Sequence, residues 1–190
     1  MKHLYCANNE IIKIRPLMEK DIEYLRCWRN DPELSTYLNE IPFITPEKQL
    51  DWFNSYLTDN DNLFFVIVDK KRDIQIGSVA LYKFRGNSCE VGRIVIGDSA
   101  SHGKGMGYNA LLLVITIAIQ KFNVNFIKLD VHEANLPARN IYEKIGFQII
   151  GKHEFQKGGY ELEMEISAED FIKQNPIIKN IKVYEMTRYE

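Results

Sequence analysis

Cysteine is scarce in this chain. Cys6, Cys27 and Cys89 are the only three among 190 residues, and no two are closely spaced. An odd, scattered set excludes a disulfide framework and a zinc-ligand spacing, and reads as free thiols in a reducing compartment, with no metal expected. Long apolar runs are missing too: none reaches the ~18–20 residues that a membrane span needs. The opening stretch Met1 to Glu10 lacks the apolar segment of a secretory signal. Neither sign of charge dominates, since 24 Lys and Arg face 26 Asp and Glu for a net −2. Bulk attraction to nucleic acid or to an anionic membrane is therefore not expected. The chain has no internal repeat and no low-complexity linker. With 45% hydrophobic and 12% aromatic residues it has the means to build a core. The expectation is one cytoplasmic globular domain over residues 1–190, monomer or homodimer, without nucleic-acid or membrane partners.

The periodicities give a coarse map. Ile11 to Leu17 reads as an opening strand stopped by Pro16. Glu19 to Asn30 places Ile22 and Leu25, with Cys27 and Trp28, towards one side of a short helix that Asn30-Asp31-Pro32 breaks. Thr45 is an N-cap with Pro46 at the first helical position, and the helix behind it carries Leu50, Phe53 and Leu57. Strand signals follow at 64–68, 74–84 and 89–97, the first two separated by the polar turn Asp69 to Asp73. A long apolar helix ends near Phe122. Strand 125–131, helix 137–145 and strand 147–151 come next, and Tyr160 to Ile166 alternates as a half-exposed strand. This order predicts an α/β sheet of mixed direction rather than a doubly wound repeat.

Between strand 89–97 and the long helix stands His102-Gly103-Lys104-Gly105-Met106-Gly107. Three glycines in six residues cost conformational entropy, so the backbone there must do something that other residues resist. Directly ahead of a helix, such a loop lets backbone amides crowd around a phosphate. A Walker A loop needs Ser or Thr after Gly-Lys, and here Gly105 follows. A dinucleotide fingerprint needs G-x-G-x-x-G near the start of a βαβ unit, and this is G-x-G-x-G after about 100 residues. The remaining phosphate reading is a pyrophosphate cradle for coenzyme A.

With these residues in view, the sequence resembles the GNAT N-acetyltransferase superfamily. Its acetyl-CoA motif, (Arg/Gln)-x-x-Gly-x-(Gly/Ala), maps onto residues 102–107, with His102 departing from the first position. A second segment, Asn135-Leu136-Pro137-Ala138-Arg139-Asn140-Ile141-Tyr142-Glu143-Lys144-Ile145-Gly146-Phe147, resembles the family pattern N-x-x-A-x-x-x-Y-x-x-x-G-F. The likeness covers about residues 11–170, leaving about 171–190 as a C-terminal extension. Trp28-Arg29-Asn30-Asp31-Pro32 and Gly159-Tyr160 are most similar to the branch of ribosomal-protein, polyamine and amino-sugar acetyltransferases. The resemblance implies a mixed, mostly antiparallel twisted sheet flanked by helices, with a splayed strand pair holding acetyl-CoA.

It further implies acetyl transfer from the CoA thioester to an amine. Cofactor contacts would come from the backbone at Ile94, Val95 and Ile96, from His102, Gly103, Lys104, Gly105, Met106, Gly107 and Tyr108, and from Asn135, Tyr142 and Lys144. An alkyl ammonium of pKa ~10.4 is deprotonated only about once in a few thousand molecules at pH 7, so a base must take its proton. Glu90, at the start of the strand leading to the cradle, is the first candidate, and Asp130 on the neighbouring strand the second. Tyr142 carries an O–H suited to protonate the departing thiolate. Seven residues, about two helical turns, separate it from Asn135, which also fits an N-cap ahead of Pro137. His132, a lone histidine beside a loop, reads as a surface residue.

The acceptor pocket, by family analogy, comes from the first two helices and the loop between them. That region is aromatic, and Trp28, Arg29 and Tyr37 are its candidate contacts. Arg29 suits a phosphate or carboxylate and so favours a nucleotide-linked amino sugar. Asp31, Glu33 and Glu40 form a thin carboxylate set for a polyamine. A protein N-terminus is the remaining acceptor, and an acyl-CoA-binding scaffold the alternative to an enzyme.

Overall fold

The computed structural model describes residues 2–37, 42–156 and 158–187. In chain order the elements are β1 (Tyr5–Asn8), β2 (Ile12–Pro16), α1 (Ile22–Asn30), α2 (Pro46–Thr58), β3 (Asn62–Asp69), β4 (Ile74–Arg85), β5 (Ser88–Ile96) and α3 (Met106–Phe122), then β6 (Phe126–His132), α4 (Leu136–Ile145), β7 (Gln148–Glu154), β8 (Tyr160–Ser167), α5 (Ala168–Gln174) and β9 (Lys182–Glu185). All the strands join one sheet in the order β7-β8-β6-β5-β4-β3-β2-β1-β9. Every pairing is antiparallel except β5 with β6. The mixed, mostly antiparallel sheet flanked by helices is the architecture expected.

The apolar run in β3 has a simple cause: that strand is covered on both faces. Leu63, Phe65 and Ile67 point into the main core beneath α3. Phe64, Val66 and Val68 join a second core with Leu17, Phe53 and Tyr56 under α1 and α2. Alternation is what divides them. Helix α3 is apolar nearly all round because Ala110 to Ala118 are buried throughout.

Helix α2 begins as predicted, with the Thr45 hydroxyl accepting the Lys48 N–H at 3.3 Å. Its buried face differs from the one read from sequence. Gln49, Phe53 and Tyr56 turn inward, while Leu50 is 42% and Leu57 38% exposed. The Tyr56 hydroxyl decides the rotation, accepting the Phe64 N–H at 3.2 Å from inside the second core. Likewise, no residue of α1 is fully buried, and Cys27 is exposed.

The two outer strands were not anticipated. Strand β1 pairs with β2, and β9 pairs with β1 from Tyr5↔Glu185 to Asn8↔Lys182. Beyond the sheet, Phe171 of α5 is fully buried in the main core.

Candidate functional site

The parallel ladder between β5 and β6 is short. It runs Ser88↔Phe126, Cys89↔Ile127 and Glu90↔Lys128, and stops there. Past Glu90 the two strands splay, and β5 continues to Ile96 with its β6-facing edge outside any ladder. On its other edge β5 carries a bulge, where the pairing shifts between Ala80↔Gly92 and Ser78↔Val95. Arg93 takes up the extra residue at a φ of 51°. Its guanidinium donates to Asn62 Oδ1 at 2.6 Å and lies 4.5 Å over the Tyr82 ring and 5.0 Å over that of Phe64.

At the splay lies a cavity of about 790 Å³. Helices α1 and α2 supply Trp28, Arg29, Lys48 and Trp52, and the segment between them supplies Tyr37. The sheet supplies Tyr82, Lys83, Glu90, Arg93, Ile94, Val95, Asp130, His132 and Glu161, α4 supplies Tyr142, and the N-cap of α4 supplies Asn135. Tyr37 reaches across the opening to stack on His132, ring centres 5.5 Å apart.

Three carboxylates face this cavity from three adjacent strands. Glu90 Oε2 accepts from Lys83 Nζ at 2.8 Å, and Glu161 Oε2 lies 3.1 Å from His153 Nε2. Asp130 makes no hydrogen bond or ion pair among the described residues. Partial desolvation in the cavity, followed by the charges of Glu90 and Glu161, raises its pKa above the ordinary aspartate value. The Tyr82 phenol is pushed up to about 12, first by burial and then by Glu90. Tyr142 is only 6% exposed, and burial raises its pKa further, with Tyr82 adding to the effect. Its O–H therefore stays protonated at neutral pH and can be given to a departing anion. Arg29 is half-buried, and desolvation lowers its pKa from the ordinary arginine value.

The glycine loop stands at the N-terminus of α3. Gly103 and Gly105 have φ of 71° and 74°, the left-handed region that side-chain-bearing residues resist. A Cβ at Gly103 would meet nothing within 4 Å, so the loop faces open space. The first helical hydrogen bond runs from Asn109 N–H to the Gly105 carbonyl at 3.0 Å. The amides of Met106, Gly107 and Tyr108 precede it and are available to an anion. Gly107 packs close to Ile94, Ile96 and Ile141, which seats the cradle beside the free edge of β5. The residues present suit a pyrophosphate-bearing cosubstrate: an open ring of amides, Lys104 exposed beside it, and a strand edge leading to the cavity.

An Acetyltransferase (GNAT) domain is matched over residues 12–148. The chain belongs to the GNAT acetyltransferases. An N-acetyltransferase 9-like protein from Nematostella vectensis is 25% identical over 176 residues, covering 87% of this chain and 86% of that one. Among solved structures, a spermidine N-acetyltransferase from Vibrio cholerae in complex with CoA and spermine superposes with a TM-score of 0.76 at 23% identity, over 85% of this chain and 98% of that one. FdhC, a nucleotide-linked sugar GNAT, gives 0.77 at 18% identity, over 94% and 97%. At these identities the structural likeness concerns the GNAT fold.

Within that fold the sequence candidates divide into two groups. Trp28, Arg29, Tyr37, Glu90, Ile94, Val95, Asp130, Asn135 and Tyr142 all line the cavity. His102, Gly103, Lys104, Gly105, Met106, Gly107, Tyr108 and Lys144 lie outside its wall, around the start of α3 and along α4, as does Ile96 at the end of β5. His102 does not face the loop's open side: its Nε2 donates to the Ile96 carbonyl at 2.7 Å. Lys144 sits 4.8 Å over the Tyr108 ring, whose hydroxyl donates to Asn175 Oδ1 at 3.4 Å. Asn135 caps α4 by accepting the Ala138 N–H at 3.3 Å while lining the cavity. His132 accepts the Ala134 N–H at Nδ1 (3.1 Å) and lies 3.1 Å from the Gly158 carbonyl at Nε2. With both ring nitrogens engaged it has no lone pair to offer a substrate. Glu40 falls outside the described residues.

Sequence reasoning missed Tyr82, Arg93, Lys48 and Glu161. For Glu161 a signal existed: the alternation Glu161-Leu162-Glu163-Met164 puts a row of carboxylates on one face of β8, next to Asp130 on β6. Nothing local marks Tyr82 or Arg93.

Proposed function

We propose that the protein moves the acetyl group of acetyl-CoA to the primary amine of a small molecule that also carries an anionic group, the class that includes nucleotide-linked amino sugars. The supporting observation is that the cavity carries charge of both signs. Glu90, Asp130 and Glu161 share one aromatic-walled space with Arg29 and Lys48 on the helix side and with Lys83 and Arg93 on the sheet. An acceptor with an amine at one end and a phosphate or carboxylate at the other matches both sets.

In this reading Asp130, with Glu90 beside it, takes the ammonium proton and leaves the amine lone pair free to attack the thioester carbonyl. The collapsing intermediate expels the thiolate, and Tyr142 supplies its proton. Backbone amides on the free edge of β5 are the candidate donors to the pantetheine arm and the oxyanion. The amides at the start of α3 hold the pyrophosphate.

A second reading has its own support. Glu90, Asp130 and Glu161 together suit a polycationic amine, and a structurally similar GNAT protein was solved with spermine. One panel separates the two. Release of free CoA thiol is followed with amino-sugar nucleotides, polyamines and short peptides, each beside acetyl-CoA. Highest kcat/KM on an amino-sugar nucleotide supports the proposal, and highest kcat/KM on spermidine or spermine replaces its acceptor. Binding of acetyl-CoA without transfer to any amine would leave a scaffold.

A further inference from the structure

We infer that two hairpin turns far from the glycine loop in sequence grip its two ends, through Arg72 and Asn9, and hold it in the shape that receives the pyrophosphate; the inference rests on the assignment of that loop proposed above.

Glycine at positive φ permits the loop's shape but does not enforce it, because no side chain of Gly103 or Gly105 packs on anything. The shape must come from the ends. At the entry, Ser101 is 1% exposed, and its hydroxyl donates to Asp98 Oδ2 at 2.6 Å. Arg72, in the turn between β3 and β4, reaches both: its Nη2 lies 2.6 Å from Asp98 Oδ2 and 2.6 Å from Ser101 Oγ, while its Nε donates to Asp69 Oδ2 at 2.8 Å. Asp69 is itself fixed, its Oδ1 accepting the Lys71 and Arg72 amides at 2.8 and 3.1 Å. A guanidinium can serve three such acceptors in one plane, and an ammonium on a flexible stem cannot.

At the exit, the Gly105 carbonyl accepts from the side chain of Asn109 as well as from its amide, at 2.9 and 3.0 Å. Asn109 Oδ1 in turn accepts from Asn9 Nδ2 at 2.8 Å. Asn9 belongs to the turn between β1 and β2, where its Oδ1 accepts the amides of Ile11 and Ile12 at 2.9 and 3.0 Å. The two turns are also tied to each other. Lys70 donates its Nζ to the Asn9 carbonyl at 2.7 Å and its amide to that of Ile11 at 3.1 Å. Arg72 and Asn9 are thus positioning residues, acting on the loop rather than on the cosubstrate.

The test compares Arg72→Gln, Arg72→Lys, Asn9→Ala and Gly105→Asp. The readouts are CoA affinity by calorimetry, KM and kcat with acetyl-CoA and with S-acetylpantetheine, and thermal melts. S-acetylpantetheine keeps the thioester and arm but has no pyrophosphate. We expect Arg72→Gln to bind CoA about tenfold more weakly, with KM for acetyl-CoA changing more than kcat. Its loss in kcat/KM should be larger with acetyl-CoA than with S-acetylpantetheine, and Arg72→Lys should recover only part of the affinity. Equal losses on the two donors, or parental CoA affinity in folded Arg72→Gln, would overturn the inference. If Arg72→Gln does not fold, Asn9→Ala is judged by the same readouts and the same outcomes. Gly105→Asp adds bulk and like charge to the cradle itself. If it too binds CoA as the parent does, the loop assignment fails. If it binds weakly while Arg72→Gln does not, the assignment stands and the grip is refuted.

Discussion

Glu90 and Lys128 are the last paired residues of β5 and β6, yet they do not neutralise each other. Lys128 Nζ turns to β8, 3.3 Å from Glu163 and 3.6 Å from Glu165, and Glu90 takes Lys83 at 2.8 Å. Asp130, two residues along β6 and on the same face, makes no ion pair among the described residues. Glu90 is held by its ion pair, whereas partial desolvation and the charges of Glu90 and Glu161 raise the pKa of Asp130 and make it the better-placed proton acceptor.

Asp130→Asn should therefore lower kcat/KM at neutral pH more than Glu90→Gln does. The deficit should shrink as pH rises towards the acceptor's own pKa, where free amine no longer depends on a base. The same substitution has a stability signature. A carboxyl whose pKa is raised in the folded state binds its proton more tightly there than in the unfolded chain. Ionising it above the ordinary aspartate value of 3.8 then costs stability. At pH 7 Asp130→Asn should accordingly melt higher than the parent while turning over more slowly. A lower melting temperature, or a pH-independent loss of rate, would make Asp130 a structural carboxylate.

Tyr142→Phe removes one O–H and keeps the ring in place against Phe147, whose centre is 6.0 Å away. Among the described residues that hydroxyl has no hydrogen-bond partner, so its loss strands nothing. Turnover should fall roughly 10²-fold or more, the scale of a lost general acid, with acetyl-CoA affinity and melting temperature close to the parent's. Parental turnover would return Tyr142 to a packing role.

Legibility in the sequence followed locality. The N-caps at Thr45 and Asn135, the glycines that need positive φ and the strand alternation of β8 are written in neighbouring residues, and all were readable. The α2 face was misread because period alone places Leu50, Phe53 and Leu57 together, whereas a hydroxyl-to-amide bond from Tyr56 to a strand decides the rotation. Strand β9 escaped notice because it is short and pairs across nearly the whole chain, and β1 because its four residues are too few to show a period, although it closes a local hairpin with β2. The cavity's Tyr82 and Arg93 depend on a bulge that only cross-strand register reveals. Arg72 looked like one charge in a polar turn, and only its partners at Asp98 and Ser101 give it a role.

His3 supplies a pH dependence separate from the active site. It is buried with Nε2 donating to the Phe64 carbonyl at 3.1 Å and Nδ1 without a hydrogen-bond partner among the described residues, and burial lowers its pKa from 6.5 to about 4. Its neutral form is the one the fold accepts. The corresponding stability is whole above pH 6.5 and is lost as pH falls through that value towards about 4. The loss should reach roughly 3 kcal/mol. Denaturant titrations of the parent and His3→Gln across this window should show the flatter profile in the variant. Parallel profiles would show that His3 does not couple protons to folding.

Gly97, immediately after β5, lies under the indole of Trp28, and any Cβ there would enter the ring. The amide of Gly97 is held by the Ile76 carbonyl at 2.8 Å, so the backbone cannot back away and the indole must move. Trp28 is only half-buried and sits on α1 at the cavity wall, so its displacement is an opening of the acceptor space rather than a collapse of the core. Overpacking a tight site costs about 1–3 kcal/mol, and a side chain free to swing outward should keep the loss near the low end. Gly97→Ala should therefore raise KM for the amine acceptor while moving KM for acetyl-CoA much less, and should shift the Trp28 fluorescence towards that of an exposed indole. A rise in KM shared equally by both substrates would tie Gly97 to the cosubstrate side, through the loop that begins a few residues later, and would remove Trp28 from the acceptor wall.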